Sequence, residues 1–511
     1  MDKSPENGIH LPSTPLSYWM DSTPPTDYPA LAEDIKTDVA IVGGGITGLV
    51  TAYMLKKAGL RVVVLEADRI VQGTSGHTTA KVTSQHSLIY DKIKSAMGEE
   101  RARQYADANE TAIRIIAEII EENSIECDFH RLPAYVYTHS KEYVQKLESE
   151  VKTASALGIK AHCLDKTPLP FPVLAAMRFD NQAQFHPRKY LLKLAEKIVG
   201  DDCRIFEHTR AVDLHEGETC SVITGKGYKV SADRIVVATH YPFYDRHGLY
   251  FSRLYPERSY ALGVQIRNDF PDGMFITAED PGRSLRYQPY GDGRLIIVGG
   301  EHHKTGHGEN TMEHYEVLRD FALQIYDVEN IPYMWSTQDY TSMDEIPYAG
   351  HITSSRTNIY VATGFAKWGM TNSHASAAII TDLITKGSSP WVDVYDPSRF
   401  TPGASAKNLV VENVDVAGNF ISGKLSTAPD EIDIKPGEAG YVEHEGTKSG
   451  VYMDRQGKVH FVKTSCTHLG CGLKWNSAER SWDCPCHGSR FTYEGDIIDG
   501  PALKSIKFGT E

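Results

Sequence analysis

Cys466-Thr467-His468 and Cys484-Pro485-Cys486-His487 put two thiols and two imidazoles into a pair of short segments near the end of the chain. Few patterns restrict a fold more, because both segments must converge on one small inorganic centre. Cys-x-His with Cys-x-x-His suits an asymmetric [2Fe–2S] cluster, with Cys466 and Cys484 holding one iron by thiolate and His468 and His487 the other by imidazole. Structural zinc also accepts two Cys and two His, but at spacings that Cys-x-His fits poorly. A cluster of the first kind handles single electrons.

A second signature lies near the other end. Asp38-Val39-Ala40-Ile41-Val42 reads as a short buried strand and runs directly into Gly43-Gly44-Gly45-Ile46-Thr47-Gly48 and a helix to about Ala58. This is G-x-G-x-x-G between a strand and a helix. Gly43 permits the tight turn, Gly45 lets the backbone approach a pyrophosphate at the helix N-terminus, and Gly48 lets helix and strand pack closely. Arg61 to Leu65 reads as the next strand and ends in Glu66, placed to accept hydrogen bonds from a ribose diol and to disfavour a 2′-phosphate.

Both ends resemble known families. The stretch from about Leu425 to Glu511 resembles the Rieske proteins, including Ser489 after the last ligand and Gly500-Pro501-Ala502 where the family has a proline loop over the cluster. The resemblance implies a disulfide between Cys471 and Cys486. Where Rieske proteins of the cytochrome complexes usually have a Tyr that donates to a ligand sulfur, this chain has Phe491, which implies a potential in the middle or low part of the span of roughly −150 to +300 mV. The stretch Asp38 to Lys386 resembles the D-amino-acid-oxidase-like flavoproteins, which implies FAD. Gly73-Thr74-Ser75-Gly76-His77 matches a segment lining the flavin and pyrophosphate. Ala211-Val212 matches a segment touching adenine, and Arg234 to Thr239 a nucleotide-contacting strand. Asp344 to Gly350, Asn358 to Gly364 and Phe365-Ala366-Lys367-Trp368-Gly369-Met370 match the closing segments, whose helix directs its positive end at the flavin. On these matches Ile46, Thr47, Thr74, Ser75, His77, Val212, Gly364 and Gly369 join Gly43, Gly45, Gly48 and Glu66 as cofactor-binding residues.

The organisation that follows is an α/β FAD-binding Rossmann-like domain with an interleaved α+β substrate domain, plus a small all-β Rieske domain. Residues 1–37 read as an arm whose prolines prevent regular structure and whose Tyr18, Trp19 and Tyr28 pack it down. Residues 38–386 are the oxidoreductase, with substrate-side segments from about Ser87 to Asp180 and Leu254 to Ser336. Residues 387–424 form a connector with an amphipathic stretch around Leu409 to Ile421, and 425–511 the Rieske domain. Apolar residues recur at helical spacing over Glu99 to Glu122. A net charge of −14 and pI near 5.8 argue against a nucleic-acid partner. No run approaches the 18 apolar residues of a spanning helix, and the polar start lacks a secretory signal. The expected location is the cytoplasm, with peripheral membrane association left open. Cys127, Cys163, Cys203 and Cys220 are scattered and expected to be reduced.

The expected reaction is dehydrogenation of an amine or amino acid next to nitrogen by FAD, with electrons leaving one at a time through the cluster to an external acceptor, a protein or a quinone. Lys367 is a candidate at the flavin edge. Arg286 and Tyr287, on a strand before the Gly291-Asp292-Gly293 turn, are candidates for the substrate. Gln288-Pro289 stands where several relatives have Arg-Pro, which weakens transfer of amino-acid specificity and leaves Arg286 as the alternative carboxylate ligand. Glu301-His302-His303 with His307 reads as a hydrated loop after a strand in preference to a metal site. Two competing functions are a reductase component feeding a separate oxygenase and a redox sensor without a dedicated metabolite. The reductase reading lacks a second glycine motif for a nicotinamide cofactor. No 2-His-1-carboxylate arrangement follows the cluster, so the chain is not itself a Rieske oxygenase.

Overall fold

A computed structural model describes residues 8–245, 248–308, 310–399, 401–425, 428–429 and 433–509. The strand Ile35–Val42 lies at the centre of the first sheet, parallel to Val62–Leu65 on one side and Lys229–Val237 on the other. Arg204–Phe206 extends the parallel run beyond Val62–Leu65, and Ile359–Thr363 pairs in parallel with the end of Lys229–Val237. All four residues of Val62–Leu65 are buried, as befits a parallel strand covered on both faces. The helix Ile46–Lys57 is apolar nearly all round because it too is enclosed, packing against Gly369–Lys386 and Pro187–Ile198.

The second sheet has eight strands in the order Val328–Ser342, Leu254–Ile266, Gly293–Lys304, Arg283–Tyr290, Met274–Thr277, Ala134–Thr138, Ala175–Phe179, Ala161–Leu164. Its strands come from segments on both sides of nucleotide-binding ones, so the two subdomains interleave. The expected hairpin is present, with Tyr290 paired to Gly293. The helix Glu99–Glu122 has the span its periodicity predicts, with Ala102, Tyr105, Ala112, Ile113, Ile116 and Ile119 buried.

Three readings change. The central strand begins at Ile35, because Ile35, Lys36 and Thr37 already pair with Val230, Ser231 and Ala232. The arm contains a short helix, Tyr18–Asp21, started by the Ser17 hydroxyl, which accepts from the Trp19 N–H. Trp19 is fully buried and donates its indole N–H to the Thr78 carbonyl at 2.7 Å. In the connector, the amphipathic stretch belongs to a 24-residue helix, Pro402–Leu425.

The C-terminal part stacks a three-stranded antiparallel sheet, Ala439–His444, Thr447–Met453 and Val459–Lys463, with a four-stranded one from Lys474–Asn476 to Ile497–Asp499. Val462, Leu473, Trp482, Phe491, Ala502 and Ile506 form its core around the four cysteines.

Candidate functional site

A cavity of about 860 Å³ runs between the two large sheets and up to the C-terminal domain. At one end lies the glycine turn. Gly43 has φ +111°, and a Cβ there would stand 2.3 Å from the Ala238 carbonyl oxygen; one on Gly48 would stand 1.8 Å from the Gly43 carbonyl oxygen. These two glycines are required by the fold itself. A Cβ on Gly45 would meet only the Ser75 hydroxyl, at 3.0 Å, and Gly45, Ile46 and Thr47 line the cavity. The helix N-terminus there is an anion site whose nearest backbone is left clear. Glu66 lines the same end, its carboxylate accepting from the Gly44 N–H at 2.7 Å and the Asp68 N–H at 3.0 Å. Burial raises its pKa, opposed by those N–H donors.

Thr74, Ser75 and His77 line the middle of the cavity, as do Lys367 and Gly369 at the start of the helix Gly369–Lys386. His77 Nδ1 is 2.9 Å from the Gly73 carbonyl, which leaves Nε2 as its other ring nitrogen. Gly48, Val212 and Gly364 are not on the wall. Gly48 packs against the turn, Gly364 with φ +77° turns the chain beside Leu254 and Ser342, and at the edge strand Arg210 and Ala211 line the cavity in place of Val212.

The far end is walled by the C-terminal domain through Arg490, Asp499, Gly500, Pro501 and Ala502. Behind that loop, Cys466 and Cys484 are buried free thiols, and the rings of His468 and His487 are 5.1 Å apart. Burial depresses both imidazoles, His468 to about 4 and His487 to about 3. Their Nδ1 atoms are buried without a hydrogen-bond partner. Two orphaned ring nitrogens and two buried free thiols are what an iron pair with mixed ligation would satisfy. Cys471 and Cys486 are joined in a disulfide with Cα atoms 6.5 Å apart. The sulfurs of Cys471, Cys484 and Cys486 lie within 4.8 Å of one another, but two of them are spent in that bond and offer no thiolate. Ser489 helps to lower the Cys466 thiol pKa and accepts from the Ala502 N–H at 3.0 Å, whereas Phe491 offers no donor.

Residues 38–383 match the family described as FAD dependent oxidoreductase, and residues 426–508 match the Rieske [2Fe-2S] domain. This chain belongs to the FAD-dependent oxidoreductase family and carries a C-terminal Rieske domain. It is 43% identical over 494 residues to the putative Rieske 2Fe-2S iron-sulfur protein YhfW of Bacillus subtilis (strain 168), covering 96% of this chain and 97% of that one. It is 26% identical to the gamma-glutamylputrescine oxidoreductase of Escherichia coli (strain K12), over 75% of this chain and 92% of that one. In fold, the L-proline dehydrogenase of P. horikoshii superposes with a TM-score of 0.61 at 21% identity, covering 73% of this chain and 99% of that one. The FAD-dependent oxidoreductase domain thus binds FAD, and the Rieske domain a [2Fe–2S] cluster.

Within this oxidoreductase the expected substrate residues part company. Lys367 is at the cavity, ion-paired to Glu257 at 3.2 Å. Arg286 is fully buried off the wall, donating to the Ala80 and Phe185 carbonyls and to Gln288 Oε1, with its guanidinium 5.3 Å from the Trp19 ring. Tyr287, next along the strand, points to the opposite face and packs on Arg294 and Phe270. Neither lines the cavity. Glu301, His302 and His303 lie on the strand Gly293–Lys304 and not in a loop, and Glu301 and His303 both meet His314 while His302 turns away from them. Glu301 pairs with Arg283, His303 stacks on His314, and His302 reaches the cavity.

Two cavity residues escaped the sequence reading. Asp339 is 6% exposed, and burial raises its carboxyl to about 7. Lys81 is pushed down to about 7 by burial and then by the charge of Arg286. An isolated Asp in a strand of mixed pattern gives no sign of which face it takes. Lys81 follows His77 closely, and its strand is only Lys81–Val82.

Proposed function

We propose that this chain is a dehydrogenase for amines or amino acids whose electrons leave singly by the Rieske cluster to an external acceptor, a protein or a quinone, in the cytoplasm. The observation that carries the reading is one cavity whose walls include Gly43, Gly45, Ile46 and Thr47, the substrate sheet and the Gly500-Pro501-Ala502 loop. When bound, FAD supplies hydride acceptance from a C–H next to nitrogen, and the cluster supplies one-electron carriage.

The chain's own residues do the rest. Gly45, Ile46 and Thr47 leave backbone free to take a pyrophosphate, and Glu66 would accept hydrogen bonds from the ribose. The N-terminus of Gly369–Lys386 places its positive end at the cavity, where it favours developing negative charge. Cys466, His468, Cys484 and His487 hold the cluster, and the Cys471–Cys486 bridge ties their loops. Trp335 and Trp368 line the cavity as apolar walls, which limits water near the reacting carbon. Arg286 is committed elsewhere, and this supports amines over the carboxylate-gripping geometry of an amino-acid site.

The test is anaerobic addition of candidate amines and amino acids while flavin absorbance and the electron paramagnetic resonance of the reduced cluster are followed. Flavin bleaching followed by a rhombic cluster signal is expected. Reduction by NADH or NADPH with no response to amines would replace this reading with that of a reductase component.

A further inference from the structure

The substrate sheet turns a row of polar side chains without partners to the cavity. Ser259 pairs across strands with Thr337, and Glu257 with Asp339, so these four stand together on one face. The Ser259 and Thr337 hydroxyls are buried without hydrogen-bond partners, and the carboxylate of Asp339, a residue 6% exposed, has neither hydrogen bond nor ion pair among the described residues. Ser259, Thr337 and Asp339 line the cavity, with Trp335 and Lys367 beside them.

The charges form a simple sum. Glu257 is answered by Lys367 at 3.2 Å. Arg258, on the same strand, is held by Glu479 at 3.6 Å and by Ser336. Burial, reinforced by Lys367, lowers the pKa of His302, opposed by Glu257, Asp280 and Glu301. Asp339 is left as one uncompensated negative charge. Burial raises its pKa, Glu257 adds to this, and Lys367 and Arg258 oppose it. A carboxylate this buried is costly unless a cation or donor meets it. Lys81 has Arg286 and not Asp339 as its charged neighbour, and Arg69, Arg210 and Arg490, the other cations on the cavity wall, are not among the charges that act on Asp339.

We infer that Asp339, with the Ser259 and Thr337 hydroxyls, is the subsite for the substrate's cationic amino group, so that the ligand class is an alkylammonium ion. This rests on the reading of the cavity as an amine site and assigns the residue that selects the amine. The carboxylate accepts the ammonium N–H donors, and a single positive charge completes the sum.

Calorimetric titration of the flavin-loaded full chain with cumylamine tests the subsite without turnover, because its amine-bearing carbon has no hydrogen to give up. The control is 2-methyl-2-phenylpropanoate, of like shape and opposite charge. Wild type is expected to bind the amine at least tenfold more tightly than the carboxylate. Asp339→Asn is expected to lose at least tenfold in amine affinity while flavin absorbance per chain is unchanged. In wild type the affinity should fall as pH drops below about 7, where Asp339 takes up a proton, and this profile stands in for the variant if Asp339→Asn does not fold. Equal affinity in Asp339→Asn, a flat profile, tighter binding of the carboxylate, or binding of neither compound would overturn the inference. Should cumylamine bind as expected while no oxidisable amine bleaches the flavin, the dehydrogenase reading fails and the ammonium subsite stands.

Discussion

At single residues, two glycines of one motif separate the needs of the fold from those of the ligand. Gly48→Ala puts a Cβ against the Gly43 carbonyl oxygen, an overlap that only backbone movement relieves, so it is expected to lower the thermal midpoint of the protein whether or not flavin is bound. Gly45→Val meets the Ser75 hydroxyl at 3.0 Å, a side chain that can give, and would fill the proposed approach to the pyrophosphate. Its expected outcome is a folded chain, with unchanged circular dichroism, purified without flavin absorbance; a yellow protein would place the pyrophosphate elsewhere. At the cluster, Phe491 is buried among the cysteines and gives no donor. Phe491→Tyr is expected to raise the cluster midpoint potential by about 60 mV, the equivalent of one charge-assisted hydrogen bond of about 1.5 kcal/mol for a one-electron couple, as read by redox titration. Motif residues of this kind were legible in sequence because their chemistry is local: a turn, a thiol, an imaginable partner a few positions away. Arg286 misled for the opposite reason. Being an arginine on the correct strand says nothing of its rotamer, and here it is drawn to the Ala80, Phe185 and Gln288 oxygens beneath Trp19.

Among elements, legibility followed periodicity. Glu99–Glu122 announced itself because its apolar residues repeat at helical spacing, and the strands of the C-terminal domain did so through alternation and turns. The Tyr18–Asp21 helix was hidden by flanking prolines, and the extent of Pro402–Leu425 by the Gly and Pro residues ahead of it. Just before that helix the chain is fastened by a pair that no pattern reveals. Arg399 Nε and Nη2 meet the two Asp344 oxygens at 2.8 and 2.7 Å, with both side chains 1% exposed, and Thr401 adds a donor at 2.9 Å. Burial alone would raise the Asp344 carboxyl, but Arg399 overcomes it and holds it at about 2. A depressed carboxyl stabilises the fold above its unfolded pKa and loses that contribution as pH falls through the folded one. Between pH 4 and pH 2 this group should therefore cost the wild type about 2 kcal/mol. Arg399→Met strands the carboxylate in the interior and is expected to remove about 3–5 kcal/mol near neutral pH, with denaturant unfolding as the measure. The variant should also lose this part of the acid transition.

In the whole molecule, the decisive contact joins regions far apart in sequence, and for that reason no reading of the chain foresaw it. The strand Val328–Ser342 serves two partners: Trp335, Thr337 and Asp339 line the cavity, while Gln338, which lines it too, and Tyr340 reach the loop that carries His487. Gln338 donates to the Gly488 carbonyl at 2.8 Å, and the Tyr340 hydroxyl lies within reach of the His487 and Gly500 carbonyls at 3.1 and 2.9 Å. The fit is close, since a Cβ on Gly488 would stand 2.6 Å from Pro256. The residues proposed for flavin and those proposed for the cluster are separate, so Cys484→Ser is expected to abolish cluster absorbance with flavin retained in full; joint loss would show that the two sites fold as one. The contact itself bears on transfer between them. Tyr340→Phe removes the only hydroxyl that meets both the His487 and Gly500 carbonyls among the described hydrogen bonds, at a cost in stability of about 1 kcal/mol, and touches neither a cluster ligand side chain nor the pyrophosphate turn. In stopped-flow reduction by an oxidisable amine, flavin bleaching in this variant should keep the wild-type rate while cluster reduction slows severalfold. Equal slowing of both would move Tyr340 into the chemistry of the substrate, and slowing of neither would mean that the seating of the Rieske loop on this strand does not govern the flow of electrons.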